Sequence, residues 1–153
     1  MRGYLINSVT CTVTAVEVTT WRDICPLIGA GDSPFTVGFT FSNGDTVYVD
    51  DEGYCKPRDG KGYFCFMRSQ PLCGNGLVLG TDTEGKMTSP RLALADIYAR
   101  IFWLAKDVAE AQLRGQNAFT VSTLDEQGNQ ITLHAVLWDE LLNQSEPANT
   151  KEP

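Results

Sequence analysis

Residues 34–53 read PFTVGFTFSNGDTVYVDDEG, and this stretch predicts a β-hairpin. Four large apolar residues alternate with small ones in its first half: Phe35, Val37, Phe39 and Phe41. This alternation predicts a strand with one aromatic face. Asn43 and Gly44 supply the positive φ angles of a type I′ turn, and residues 46–49 return as the partner strand.

The segments before this hairpin predict a second hairpin and a short helix. Residues 2–7 and 11–18 alternate between apolar and polar side chains and form an opening pair of strands. Thr20 is expected to cap a helix over about 20–28, because Asp23 follows three residues later as in a capping box. One stripe of this helix is apolar and is expected to cover the sheet: Trp21, Ile24 and Ile28.

The segments after the hairpin predict two central strands and a long helix. The apolar runs at 63–67 and 77–80 have the length of strands inside a sheet. Ser89 and Pro90 are residue types of a helix start, so a long amphipathic helix is expected over about 90–114. Its apolar stripe has spacings of three and four residues: Leu94, Ile97, Ile101, Leu104 and Val108.

The order of these elements, which ends with a hairpin made of AFTVST and QITLHAVLW, predicts the fold class. We expect an α+β fold with a mainly antiparallel sheet of about six to eight strands, and with the long helix covering one face. Residues 1–143 are expected to form a single domain. The tail, 144–153, holds two prolines and no large apolar side chain, which predicts disorder.

The composition, with 42% hydrophobic and 20% charged residues, is that of a soluble globular protein. No run approaches the roughly 18 apolar residues of a membrane span, and the first residues do not resemble a signal peptide. We therefore expect a cytoplasmic location. The five cysteines are an odd number without close pairing, which favours reduced, partly buried thiols.

The stretch PLCGNGLVLG at 71–80 raises the question of a phosphate-binding loop. A dinucleotide fingerprint needs its glycines between a strand and a helix, and a P-loop needs a following Gly-Lys-Ser or Gly-Lys-Thr; neither is present. Two interpretations stay open. The glycines either shape a tight turn, or the basic region 54–91, with a charge of plus 3, forms an anion-binding concavity. The candidate ligand-binding residues are Lys56, Arg58, Lys61, Arg68, Gly74, Asn75, Gly76 and Lys86.

Both flanks of this basic region are acidic. The formal net charge of minus 7 includes minus 5 over residues 1–53 and minus 5 over residues 92–153. A basic partner protein fits this charge, whereas free nucleic acid would be repelled by the chain as a whole, so no direct nucleic-acid binding is expected. The candidate partner-binding residues are Asp45, Asp50, Asp51 and Glu52.

The sequence contains no clear catalytic or metal-binding constellation. His134 is the only histidine and lies in a predicted strand. Cys55, Cys65 and Cys73 lack the C-x-x-C spacing of a structural zinc site. We therefore expect no enzymatic activity, no bound metal, no cofactor and no membrane partner.

Four segments carry a resemblance to a known family: YLIN at 4–7, VYVDDEG at 47–53, QPLCGNGLVLGTDTEG at 70–85 and the Ser89-Pro90 pair. Over about residues 1–105 the chain resembles a family of small proteins of phages, plasmids and bacterial genomes that has no assigned activity. The resemblance implies a mobile genetic element inside a bacterial host cell. It implies no catalytic residue.

Two functions from different classes follow. The first is a non-enzymatic accessory protein that binds a host protein, as an inhibitor of host defence or of nucleic-acid-handling machinery would. The alternative is a protein that binds or sequesters a nucleotide or another anion at the basic glycine-rich centre 54–91, where aromatic side chains can stack on a base. Three further apolar residues lie off the stripe of the long helix: Tyr98, Phe102 and Trp103. We expect them to be covered either by the final hairpin or by a second subunit of a homodimer.

Overall fold

The computed structural model describes residues 1–56, 60–67, 69–115, 117–124, 127 and 130–137, the strands 117–124 and 130–137 by their backbone only. The chain divides into two compact units, Met1–Leu104 and Ala105–Pro153. The single domain expected over 1–143 stays a prediction. Arg58, Arg68 and the tail 144–153 lie outside the described residues.

The first unit consists of short strands with two short α-helices between them. Its elements are β1 (Arg2–Asn7), β2 (Thr12–Glu17), a 3₁₀ turn (Trp21–Asp23), α1 (Ile24–Ile28), β3 (Phe35–Thr40), β4 (Thr46–Asp50), β5 (Tyr63–Phe66), β6 (Leu72–Cys73), β7 (Gly76–Thr81), β8 (Met87–Thr88), α2 (Leu94–Tyr98) and β9 (Ile101–Leu104). Both hairpins predicted in this unit, β1–β2 and β3–β4, are confirmed as antiparallel pairs.

These strands form two antiparallel sheets, which confirms the predicted α+β class. A six-stranded sheet has the order β2-β1-β7-β4-β3, with β8 paired to the end of β7. A three-stranded sheet has the order β6-β5-β9. The two apolar runs expected to be central strands are β5 and β7, and each lies in the middle of its sheet.

The six-stranded sheet is covered on both faces. On one face, side chains of β1, β4 and β7 pack against the three-stranded sheet and α2 in one apolar cluster that contains Phe64, Phe66 and Ile97. On the other face, Leu77 and Leu79 of β7 pack with residues of α1. Because both faces are buried, β7 is apolar at nearly every position and does not alternate.

The short helix begins with the capping box expected from the sequence. The Thr20 side chain accepts a hydrogen bond from the backbone N–H of Arg22, and the Asp23 carboxylate accepts one from the N–H of Thr20, with the N–H of Thr19 also donating. The Thr20 and then the Thr19 hydrogen bonds lower the pKa of Asp23. The apolar stripe was predicted wrongly at Trp21, which is 57% exposed, whereas Ile24 and Ile28 are buried.

The prediction of one long helix over about 90–114 is wrong. Ser89 does not cap a helix; its Oγ accepts a hydrogen bond from the backbone N–H of Arg2. The segment is divided into α2, the strand β9 and a further helix, because residues 101–104 pair with β5 across the full length of that strand. The run Ile-Phe-Trp-Leu is rich in the β-branched and aromatic residues that strands favour, so tertiary pairing and local propensity agree here.

The turn of the central hairpin also differs from the expectation. Gly44 has a φ of 89°, but Asn43 is not among the residues with positive φ, so the turn is not type I′. The N–H of Gly44 donates to the carbonyl of Phe41, and the N–H of Phe41 donates to the carbonyl of Asp45. This is the three-residue hairpin loop in which a turn is followed by a left-handed glycine.

The second unit contains a helix and the predicted final hairpin. Its elements are α3 (Lys106–Leu113), β10 (Asn117–Leu124) and β11 (Gln130–Leu137). The two strands pair antiparallel from Asn117 opposite Leu137 to Leu124 opposite Gln130. Gly115 has a φ of 77°, as expected for the residue that ends the helix. Among the described helices, none has the length and apolar character that a membrane crossing requires.

Candidate functional site

The glycine-rich loop between β6 and β7 uses its polar groups inside the protein. The backbone N–H of Gly74 donates to the carbonyl of Gly62 at 3.0 Å. The Oδ1 of Asn75 accepts a hydrogen bond from the N–H of Ser8 at 3.1 Å. Gly76 belongs to β7, and a Cβ there would lie 2.9 Å from the ring of Phe64. These contacts support the interpretation in which the glycines shape the turn and allow close packing.

Two of the described basic side chains of the candidate ligand site are paired with different acids inside the protein. The Nζ of Lys56 lies 2.7 Å from Asp50 Oδ2 and 2.7 Å from the carbonyl oxygen of Ala30. The exposed Lys86 pairs with Glu84, with 2.6 Å between Nζ and Oε2. Lys61 is half-buried. Arg58 and Arg68 lie outside the described residues, so their part in the predicted site stays a prediction.

The candidate partner-binding acids divide into two buried and two exposed residues. Asp45 is fully buried, and Asp50 is buried beside Lys56. Neither carboxylate is available to a partner, so the partner-binding role does not fit these two positions. Asp51 and Glu52 are exposed, and the Glu52 carboxylate accepts a hydrogen bond from Ser33 Oγ at 2.7 Å.

The buried carboxylate of Asp45 joins two segments that are distant in sequence. It accepts hydrogen bonds from the backbone N–H of Arg91, at 3.1 Å and 3.0 Å from its two oxygens, and from that of Leu92 at 2.8 Å. The side-chain amide of Asn43 donates to Oδ2 at 3.0 Å. The Arg91 guanidinium adds a bond to the carbonyl of Asn43 at 2.7 Å. Asp45 therefore fastens the segment before α2 to the β3–β4 turn.

The feature that the sequence did not reveal is a pocket of about 230 Å³ that opens beside β3. We call it the aromatic pocket; the residues that line it are Phe39, Phe41, Ser42, Phe66, Met67 and Arg100. The rings of Phe39 and Phe66 stack, with 4.8 Å between centroids and 21° between planes. The ring of Phe41 meets both of them edge to face. All six residues belong to the first unit.

A β-bulge in β3 creates this pocket. Val37 pairs with Tyr48 and Phe39 pairs with Val47, so one extra residue, Gly38, stands between them. The bulge turns Phe39 to the face that carries Val47, whereas Phe35 remains with Tyr48 on the opposite face. The predicted strand with one aromatic face is therefore wrong, since the bulge moves Phe39 across the sheet.

Gly38 is the residue type that this bulge requires. A Cβ at this position would lie 3.1 Å from Leu72 side-chain atoms and 3.1 Å from Val49 Cγ2, which is tighter than an ordinary van der Waals contact. A glycine inside a strand often marks a bulge, so Gly38 was the available signal in the sequence.

Met67 stands at the mouth of the pocket in a conformation that is unusual for its residue type. Its φ is 43°, and its side chain is 76% exposed. The turn is held by the N–H of Ser69, which donates to the carbonyl of Phe66 at 2.8 Å, and by Ser69 Oγ, which accepts from the N–H of Phe66 at 3.0 Å. The Met67 side chain is thus large, apolar and exposed to solvent, and its backbone conformation is strained. These two features together indicate a binding role.

Arg100 is the charged residue among the described residues that line the pocket. It follows α2, and its backbone N–H donates to the carbonyl of Ile97 at 3.0 Å. Its exposed position and the aromatic rings beside it combine an apolar surface with one positive charge. This arrangement can bind an apolar group together with an anion. Among the described residues that line it, the hydroxyl of Ser42 is the group that resembles a nucleophile.

The cysteine thiols differ in their exposure to solvent. None of the five cysteines, all of which the structure describes, forms a disulfide; Cys11 and Cys55 are exposed, whereas Cys65 and Cys73 are buried. Burial raises the pKa of the Cys65 thiol, which disfavours the reactive thiolate. Within the described part of the chain, no group of three or more His, Cys, Asp and Glu residues is arranged to hold a metal ion.

Comparison of the chain with models of protein families, with curated proteins and with solved structures found no match in any of the three.

Proposed function

We propose that this protein is a non-enzymatic binding protein that contacts another protein through the aromatic pocket. The observation that carries the proposal is the exposed Met67 beside the open, phenylalanine-lined cavity. Exposed apolar surface around a concave site is typical of protein-protein contacts, where aromatic residues, Met and Arg are enriched. The pocket contains representatives of all three types.

The size of the pocket favours a protein partner over a nucleotide. Its volume of about 230 Å³ lies below the range of about 300–1,000 Å³ that small-molecule sites have. A cavity of this size suits one large side chain of a partner, which is how interface anchors bind. The alternative function, binding of a nucleotide or another anion by region 54–91, has less support because Lys56, Lys86, Gly74 and Asn75 are engaged within the protein.

The expected class of partner is a host protein of the bacterial cell, as the sequence resemblance implies. The exposed Asp51 and Glu52 stay candidates for a second, electrostatic contact with such a partner. A contact of this kind would accelerate association and would weaken as salt is raised. The aromatic pocket, in contrast, would provide contact energy that depends little on salt.

The proposal is tested by affinity capture from a lysate of the bacterial host with three versions of the protein. The first is wild type, and the second is Met67→Asp, which puts a charge at the mouth of the pocket. The third, Val9→Asp, is a matched control, because Val9 is 62% exposed and does not line the pocket. Quantitative mass spectrometry identifies proteins retained by wild type and Val9→Asp but lost with Met67→Asp. The purified partner must then bind wild type in isothermal titration calorimetry.

A second variant separates loss of binding from loss of folding. Met67→Gly removes the side chain, and glycine accepts a positive φ without strain. We expect the variant to unfold at the same or higher denaturant concentration than wild type and to bind the purified partner about tenfold more weakly or worse. Equal retention of every captured protein by wild type and Met67→Asp would overturn the proposed function.

A further inference from the structure

The strand that carries Phe39 lies at the edge of the six-stranded sheet. Among the described residues, β3 pairs with β4 and with no other strand. Its sequence, FTVGFT, contains no charged residue and no proline. Thr36, Val37 and Thr40 are exposed, and Val37 is 56% exposed although it is apolar. Proteins usually protect an edge strand with charges or proline, because its free backbone groups can pair with another chain.

The opposite edge of the same sheet is better protected. The strand β2 ends in the charged residue Glu17, and α2 contacts this strand. The edge at β3 has a different device, the bulge at Gly38, and this bulge turns Phe39 into the aromatic pocket. The uncharged edge and the pocket are therefore continuous, since one strand contributes to both.

Charge determines which side chains fit this surface. Arg100 is a cation, and the described residues that line the pocket include no acid to neutralise it. An apolar side chain that enters the pocket brings its sequence neighbours close to this guanidinium. A neighbouring carboxylate would complement Arg100, whereas a lysine or arginine there would be repelled.

We infer that the partner binds by strand addition: an extended acidic and apolar segment pairs with the free edge of β3, inserts one large apolar side chain into the aromatic pocket and sets a carboxylate against Arg100. The inference rests on the proposed function, because it uses the same pocket, and adds the mode of binding and the chemistry of the partner. In this mode main-chain hydrogen bonds provide affinity, and the pocket provides specificity.

The test uses a displayed library of random octapeptides selected on the full-length protein. We expect the retained peptides to contain an aromatic residue or leucine next to, or two residues from, aspartate or glutamate. The peptide with the highest affinity is then synthesised in two forms. One form is unmodified, and the other is N-methylated at alternate residues, those whose N–H groups would face β3. N-methylation removes backbone donors, so it should weaken binding by about tenfold or more if the peptide pairs as a strand.

Two further measurements use the unmodified peptide. Amide hydrogen exchange should slow by about tenfold or more in β3 (Phe35–Thr40) and stay unchanged in β2 (Thr12–Glu17), which serves as the control edge. Arg100→Glu should weaken binding by about tenfold and favour peptides with lysine in place of the acid. Arg22→Glu, which makes the same change in net charge at an exposed residue that does not line the pocket, should bind as wild type does.

The outcomes separate this inference from the proposed function. Retained peptides without the apolar-acidic pattern, or an unchanged exchange rate in β3, would overturn strand addition while leaving a pocket-dependent protein partner intact. Slowed exchange in β3 that depends on protein concentration without peptide would assign the edge to a second copy of the chain and would also overturn the inference. Loss of pocket dependence in the lysate capture would overturn the proposed function itself.

Discussion

Replacement of Asp45 by alanine is a quantitative test of the carboxylate that joins the β3–β4 turn to the segment before α2. The side chain is 0% exposed and accepts hydrogen bonds from the backbone amides of Arg91 and Leu92 at 3.0 Å and 2.8 Å. Alanine leaves both amides without their acceptor. A buried donor that loses its partner costs about 1–3 kcal/mol, so the free energy of unfolding should fall by about 4 kcal/mol.

Asp45→Asn should have a smaller effect. Asparagine has the same shape and keeps one carbonyl oxygen, which can still accept from Leu92. Its NH₂ group, however, would replace Oδ1, which lies 3.1 Å from the backbone nitrogen of Arg91, so one of the two contacts of that amide becomes a contact between two donors. We expect the free energy of unfolding to fall by about 2 kcal/mol, about half the effect of alanine.

The assay is urea unfolding followed by far-ultraviolet circular dichroism. With a slope of about 2 kcal/mol per molar urea, typical of small proteins, the midpoint for Asp45→Ala should move down by about 2 M. Asp51→Ala is the control, because this acid follows the same hairpin but is exposed; it should change stability by less than about 0.5 kcal/mol. Equal midpoints for the two alanine variants would refute the account of Asp45.

Three other predictions concern packing, pH and thiol chemistry. Gly62→Ala should lower the free energy of unfolding by about 3 kcal/mol or more in the same urea assay, because a Cβ there would collide with the backbone carbonyl oxygen of Ser8. Hydrogen bonds to the Asp23 carboxylate lower the pKa of this group in the folded state. The ionised Asp23 therefore stabilises the folded protein above the pKa of the group in the unfolded chain, about 3.9. This contribution disappears as the pH falls through the pKa in the folded state. Thermal unfolding from pH 7 downward should therefore show wild type and Asp23→Asn converging in strong acid, and a constant difference would contradict this. Iodoacetamide should modify Cys11 rapidly and Cys65 only after unfolding, which peptide mass spectrometry measures; early modification of Cys65 would contradict its burial.

The aromatic pocket shows how one local irregularity can produce a candidate site. Without the extra residue at Gly38, Phe39 would lie on the face of the sheet that carries Phe35, and the stack with Phe66 would not form. The same bulge lies within the edge strand that we infer to bind a partner. A substitution that abolishes the bulge would therefore remove the pocket and alter the edge together.

Features that depend on neighbours a few residues apart could be predicted from local sequence patterns. Alternation with a period of two predicted the hairpins β1–β2 and β3–β4, and the spacing of Thr20 and Asp23 predicted the capping box. Apolar runs of strand length predicted the central strands β5 and β7. These patterns suffice because strand alternation and capping are satisfied within a single element.

Features that depend on a partner far away in the chain could not be predicted in this way. Residues 101–104 have helical spacing as well as strand propensity, and pairing with β5 selected the strand. The sequence predicts a surface acid at Asp45. The residue is buried instead, because the backbone amides of Arg91 and Leu92, more than 40 residues later in the chain, donate hydrogen bonds to its carboxylate. The aromatic pocket combines β3, β5 and the end of α2. The physical reason is that a buried polar group needs a hydrogen-bond partner, and the register of a strand is set by the neighbouring strand. Local sequence patterns do not show which distant residues provide that partner or that strand.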